Sequence, residues 1–182
     1  MPSRTRTFVE TPRLRLRDWR EDDFPAFAAM NADARVMEFF LETKTEAQSR
    51  EFFDAIRGEL ARDGFGLFAA ERKADGALIG FVGLRRCPFE TDFAPCTEIA
   101  WRLRAEFWGA GFATEAAKAC LSFGFDACGL DEIFAFTALP NARSRRVMEK
   151  AGMRFVREFD HPAVPREHPL ARHALYRTKR AA

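Results

Sequence analysis

The chain has 182 residues, 47% of them hydrophobic, with 29 basic against 27 acidic side chains and a formal net charge of +2. That length buries a real core and fits one domain over residues 1–182, while the near-balanced charge gives no support to nucleic-acid binding. The polar start Met-Pro-Ser-Arg-Thr-Arg has no apolar run behind it, and nothing reaches membrane-spanning length, so a cytoplasmic protein without a membrane partner is expected.

Arg13–Trp19 alternates Leu with Arg, the pattern of a half-buried strand, and its arginines Arg13, Arg15 and Arg17 read as solvated surface. Asp22-Asp23-Phe24-Pro25 is a helix start, with acidic residues at the cap and Pro in the first turn. A short turn follows over Arg35–Phe40. Thr45-Glu-Ala-Gln48 is a capping box that opens a helix to about Arg62, with Phe53, Ile56 and Leu60 on one face. The period then changes to that of strands: Phe65–Arg72 and Leu78–Arg85 form a hairpin around Ala74-Asp75-Gly76. After a loop at Pro88–Pro95 come a central strand, Thr97–Leu103, and a helix, Phe112–Cys128. The helix carries a small-residue stripe (Ala113, Ala116, Ala117, Cys120, Gly124, Ala127) suited to close packing on a sheet. Glu132–Ala138 is a buried strand, and Asn141 caps a helix that ends at Gly152, a left-handed terminator. Met153–Phe159 and His173–Thr178 complete the order βααβββαβαββ, an α/β fold.

The four cysteines lack metal or redox spacing. All three histidines fall in one segment, His161 to His173, whose prolines at 162, 165 and 169 favour a structured loop over a metal site. Loop packing is the simplest reading of His161 and His173, with shaping of an acceptor pocket as the alternative. Trp19, Trp101 and Trp108 read as core or cleft walls.

The most informative stretch is Glu-Phe-Trp-Gly-Ala-Gly-Phe-Ala-Thr-Glu-Ala, residues 106–116. A strand, a turn containing Gly109 and Gly111, and an Ala-rich helix follow one another. Such a turn leaves the helix's first N–H groups unpaired and aimed outward, a site for a phosphate aided by the helix dipole. The dinucleotide fingerprint G-x-G-x-x-G fails, because position 114 is Thr.

Thr97-Glu98-Ile99-Ala100-Trp101 and Trp108-Gly-Ala-Gly-Phe-Ala-Thr-Glu-Ala116 together resemble the acetyl-CoA signature of the GNAT N-acetyltransferase superfamily, closest to its ribosomal-protein N-terminal acetyltransferase (RimJ/RimL-like) branch. Asn141-Ala-Arg-Ser144-Arg-Arg-Val-Met-Glu-Lys-Ala-Gly152-Met is similar to that branch's second signature, and Glu10–Arg17 to its usual first strand, so the resemblance spans roughly residues 8–178. The family's phosphate motif usually begins with Gln or Arg; here that position is Trp108. The resemblance implies the GNAT fold, a mixed central sheet splayed between its fourth and fifth strands (Thr97–Leu103 and Glu132–Ala138) with flanking helices. It implies that the backbone of Gly109, Ala110, Gly111, Phe112, Ala113 and Thr114 cradles the CoA pyrophosphate. The pantetheine arm would pair along Ile99, Ala100 and Trp101 like an added strand. Asn141 would be both helix cap and CoA contact, and Arg143, Arg145 and Arg146 would lie near the phosphates.

Transfer of an acetyl group to an amine requires that the amine lose its proton and that the leaving thiolate gain one. The resemblance makes Glu98 the general base and Ser144 the acid near the sulfur. Many GNAT enzymes use a Tyr there, but Tyr176, the one tyrosine, lies near the C-terminus. The function implied is acetyl-CoA-dependent N-acetylation of a primary amine, either a protein N-terminus such as that of a ribosomal protein or a small molecule, by direct transfer in a ternary complex without metal. The alternative is a non-catalytic acyl-CoA-binding or ribosome-associated module. The acceptor loops (Leu41–Lys44, Pro88–Pro95, Pro162–Pro169) carry no readable code, and monomer and homodimer are both compatible with the sequence.

Overall fold

The computed structural model describes residues 5–180. Eight strands form one sheet: β1 (Thr7–Glu10), β2 (Leu14–Arg17), β3 (Leu67–Arg72), β4 (Leu78–Arg86), β5 (Thr97–Leu103), β6 (Glu132–Ala138), β7 (Arg154–Asp160) and β8 (Arg172–Lys179). Their order is β1-β2-β3-β4-β5-β6-β8-β7. Every neighbouring pair is antiparallel except β5 and β6, which run parallel and pair only at Glu98 opposite Phe134. The sheet therefore opens between the two strands expected to splay. They are the fifth and sixth rather than the fourth and fifth, because β1 precedes the strand expected to be first. Four residues, Thr-Phe-Val-Glu, are too few to show a period.

Helices α1 (Phe24–Ala32) and α2 (Glu46–Asp63) precede the central strands; α3 (Phe112–Asp126) and α4 (Ala142–Lys150) follow them. The Thr45 capping box forms as expected: Thr45 Oγ1 accepts from the Gln48 amide at 3.2 Å, and Gln48 Oε1 accepts from the Thr45 amide at 2.8 Å. Gly64 ends α2 at φ +74. Four members of the α3 stripe pack as core, Ala116, Ala117, Cys120 and Gly124; Ala127, expected with them, is exposed just past the helix end, and Ala113 is half-buried on the cleft wall. A Cβ on Gly124 would come within 2.7 Å of Ile133 Cδ1 and 2.8 Å of Leu84 Cδ1, so the helix lies nearly on the strands.

Alternation along β5 divides its side chains between two faces. Ile99 and Leu103 join the core cluster that holds Ala116, Ala117 and Cys120 of α3. Arg102 Nη1 donates to Asn31 Oδ1 of α1 at 2.6 Å, so Glu98, Ala100 and Arg102 face the α1/α2 side.

The reading of Arg17 as solvated is corrected by the structure. Arg17 is 2% exposed. Its guanidinium forks onto Asp23 at 2.8 and 2.9 Å, and its Nε donates to Glu71 at 2.7 Å. Asp23 is thereby occupied, and it caps α1 in position without a side-chain cap hydrogen bond. Arg13 and Arg15 are about half exposed, and Arg13 has its own task at the glycine turn.

Candidate active site

The turn before α3 adopts the conformation that its glycines permit. Gly109 has φ +78 and Gly111, the N-cap residue, φ +82, a region that L side chains rarely enter. No side chain caps α3, so its first N–H groups remain open to a ligand. A Cβ at Gly109 would meet nothing within 4 Å, and one at Gly111 only Arg13 Nη2 at 3.6 Å. The turn is held from behind by the β1–β2 hairpin. Arg13 Nη1 donates to the Ala110 carbonyl at 2.9 Å, and Arg13 Nε to Glu115 at 2.6 Å. Thr11 donates to the same carboxylate at 2.6 Å. Sequence reasoning could not see this clamp, whose partners lie about a hundred positions apart.

A cleft of about 330 Å³ opens at this turn. Among the residues expected at the site, Trp101, Trp108, Gly109, Gly111, Phe112, Ala113, Thr114, Asn141 and Ser144 line it, as do Arg143 and Arg146. Arg145 is instead turned to Tyr176, 3.3 Å from its hydroxyl. Trp108 donates Nε1–H to the Leu103 carbonyl at 2.9 Å, and the Arg143 guanidinium lies 4.6 Å from its ring centre. Asn141 caps α4, its Oδ1 accepting from the Ser144 amide at 3.1 Å while its Nδ2 donates to Thr137 at 3.0 Å. Ser144 therefore sits in the first turn of a helix fixed at its N-terminus, on the cleft wall.

Ile99, Ala100 and Trp101 pair with Leu84, Gly83 and Val82 of β4 and have no ladder partner on β6. That free strand edge is available to an extended ligand. Glu98 stands at the point where β5 and β6 still touch and does not itself line the cleft. It is 7% exposed. Burial pushes its carboxyl up to about 7; Arg85, across the β4–β5 ladder, opposes this and Glu59 adds to it. A carboxyl with that value exchanges its proton near neutral pH.

His161 and His173 belong to a separate aromatic cluster on the far wing of the sheet. Their rings are 4.7 Å apart, with Phe89 4.5 Å from His161 and Phe159 5.8 Å from His173. Burial lowers both imidazoles, His161 to about 4 with a further push from His173, so both are neutral at pH 7. Phe134 and Phe136 of β6 join the cluster. Register places His173, like Phe134 and Phe136, on the Glu98 face. Tyr176 is buried, with its hydroxyl donated to Glu149 at 2.9 Å. Cys87 and Cys96, nine positions apart, stand opposite each other, the Cys87 amide donating to the Cys96 carbonyl at 2.9 Å. Burial pushes the Cys96 thiol up to about 12, so it stays protonated. Among the described residues no His, Cys, Asp and Glu group is placed to hold a metal, and no helix is long and apolar enough to cross a membrane.

An open mixed sheet, a glycine turn before α3 and a cleft at the splayed strands are the architecture of an acetyltransferase. Residues 13–154 match the model of the acetyltransferase (GNAT) domain, and the chain belongs to that family. It is an N-acetyltransferase whose acetyl donor is acetyl-CoA. The chain is 30% identical over 161 residues to the uncharacterised protein YkkB of Bacillus subtilis (strain 168), an alignment covering 86% of this chain and 92% of YkkB. A GNAT-family acetyltransferase from Bacillus anthracis shares the fold with a TM-score of 0.79 and 25% identity, over 94% of this chain and 97% of that one. Mycobacterium smegmatis RimJ, solved in complex with CoA-disulfide, has a TM-score of 0.72 at 20% identity, over 91% of this chain and 81% of its own.

Proposed function

We propose that the cleft binds acetyl-CoA with the pyrophosphate on the N–H groups of Gly109–Thr114, the pantetheine arm along Ile99–Trp101, and the sulfur between Glu98 and Ser144. One observation carries this reading: the uncapped glycine turn and the Asn141–Ser144 helix start line one cleft at the strand whose free edge leads to a buried carboxyl. Acetyl-CoA supplies an activated acyl group. The amine nitrogen forms the C–N bond to the acetyl carbonyl carbon and the thioester C–S bond breaks. Glu98 takes the proton from the amine, directly or through water, while Ser144 gives its hydroxyl proton to the departing thiolate and regains one from solvent. Arg143 and Arg146 add positive charge to the wall facing the phosphates.

Gly111→Val tests the cofactor assignment. A branched side chain at φ +82 stands where phosphate would approach, so calorimetry should show loss of CoA binding in a variant still folded by circular dichroism. Unchanged affinity in a folded variant removes the phosphate-turn assignment. Ser144→Ala should lower kcat with little change in the KM for acetyl-CoA, and higher pH should not restore it.

The acceptor is a primary amine, and the Glu98 value favours an α-amine. A carboxylate of pKa about 7 takes a proton from an α-amine of about 8 far more readily than from a lysine of about 10.4. A peptide N-terminus, including that of a ribosomal protein, and a small α-amine both fit, and RimJ shares the fold. The neutral His161–His173 wall lies on the Glu98 side, where the acceptor would enter. His173→Ala should raise the acceptor KM and leave CoA affinity intact. A fall in melting temperature with unchanged kinetics would make the histidines packing only.

A further inference from the structure

Arg102 occupies an unusual position for a cation. It is 9% exposed and lines the cleft at the C-terminal end of β5. Among the described residues, no carboxylate lies within ion-pair distance of it, and its one hydrogen bond is Nη1 to Asn31 Oδ1 at 2.6 Å. Its Nε–H is buried with no acceptor. The rings of Phe40, Phe81 and Phe52 surround the guanidinium, their centres 4.3, 5.3 and 5.8 Å away. Asn31 is itself fully buried. Aromatic faces and one amide compensate a buried charge only in part. Among the described residues the other buried arginine, Arg17, shows what complete compensation looks like, with two carboxylates on one guanidinium. Burial lowers Arg102 to about 10, which still leaves it charged at neutral pH.

Arg102 also faces the acceptor side. Glu98, four residues earlier on β5, shares its face, so about 13 Å of strand separates the two backbone positions. Arg102 lines the same cleft as the glycine turn, but α3 packs on the opposite face of β5, and the Arg102 guanidinium is held on the α1 side by Asn31 and the rings of Phe40, Phe52 and Phe81.

We propose that Arg102 is an acceptor-binding residue that receives an anionic oxygen group, a carboxylate in the simplest case, on an amine whose nitrogen is presented to Glu98. The acceptor class is then an amino acid or peptide bearing a negative charge near its amine, not a simple alkylamine or polyamine. This rests on the reading of Glu98 as the base. A bidentate guanidinium–carboxylate contact selects such an acceptor over its neutral amide because the amide lacks the charge-assisted bonds.

The test uses the whole protein with acetyl-CoA and matched acceptors: amino acids and dipeptides as free carboxylates and as C-terminal amides, and dipeptides with Asp or Glu against Asn or Gln at the second position. Thiol release should favour the anionic member of a pair by about 10- to 100-fold in kcat/KM, the range for a hydrogen bond to a charged group. Arg102→Met should erase that preference while leaving CoA affinity unchanged, and Arg102→Lys should keep part of it. Losing a buried charge that has no ion partner favours the Met variant and leaving Asn31 Oδ1 without its donor opposes it, so its melting temperature should stay close to the parent's. A second arm needs no turnover. In the CoA-loaded protein, the Arg102 Nε–H resonance, assigned by its loss in Arg102→Lys, should move on titration with N-acetylated amino-acid carboxylates and stay fixed with their amides. Equal rates for both members of every pair, or a CoA affinity that falls in Arg102→Met with acceptor preference intact, would overturn the proposal. A shifted resonance without turnover of any amine would support the anion site and count against the catalytic reading alone.

Discussion

Glu98→Gln should lower kcat by about 10²–10⁴-fold at neutral pH, the usual contribution of a general base. Glutamine preserves size and hydrogen-bonding capacity and removes only the proton acceptor. Wild-type kcat should rise with pH through an apparent pKa close to the value of about 7 to which burial pushes Glu98. In the variant that limb should vanish, and activity should recover partly at high pH, where the amine deprotonates unaided. CoA affinity should barely move, because the proposed cofactor contacts come mainly from backbone. The same carboxyl has a stability signature. Its folded value is raised above the ordinary 4.5. The folded state is therefore penalised as pH rises from that unfolded value, and the penalty is complete above about 7. Glu98→Gln should then stabilise the protein at pH 8 by on the order of 1–3 kcal/mol and have little effect at pH 4. A variant both slower and more stable is what a functional buried carboxyl produces. Near-normal kcat at neutral pH would place the base elsewhere.

Arg17→Met should be the most damaging change to the fold. It leaves Asp23 and Glu71, 6% and 4% exposed, without the guanidinium they share. Breaking a buried pair in this way costs about 3–5 kcal/mol. For a chain of this size that corresponds to a melting temperature lower by roughly 6–20 °C. Burial alone would raise the Glu71 carboxyl, but the Arg17 hydrogen bond and charge, helped by Arg15 and Arg20, hold it below 4.5. A depressed carboxyl contributes stability that is present above pH 4.5 and lost as pH falls through its folded value. The gap between Arg17→Met and wild type should therefore narrow in acid. An unchanged melting temperature at pH 7 would mean the network contributes nothing.

Fold and site were legible in the sequence to different depths. The capping box at Thr45, the terminator at Gly152 and the glycine turn at Gly109–Gly111 each depend on a few neighbouring residues, and each forms as expected, whereas the small-residue stripe of α3 is core only from Ala116 to Gly124, because the helix ends before Ala127. The strand β1 was not legible, because its place depends on pairing with β2 and on Phe8 stacking 4.7 Å from Phe68. Arg17 misled for a related reason. Alternation assigns Arg13, Arg15 and Arg17 to one face, but only tertiary packing decides that Asp23 and Glu71 cover the last of them. Arg102 did leave a trace: Glu98 and Arg102 are two charges on one face of a central strand, where apolar side chains are usual. The contact of Arg102 with Asn31 of α1 sets both on the α1/α2 side.

A crystal structure of the protein with CoA tests the central claim most directly. The pyrophosphate oxygens should lie about 3 Å from amides of Gly109–Thr114, with pantetheine amides paired to the free edge of Ile99–Trp101 and the sulfur between Ser144 Oγ and the Glu98 carboxyl. CoA bound with its phosphates away from the glycine turn, or with its sulfur on the far side of β5 from Glu98, would contradict the account.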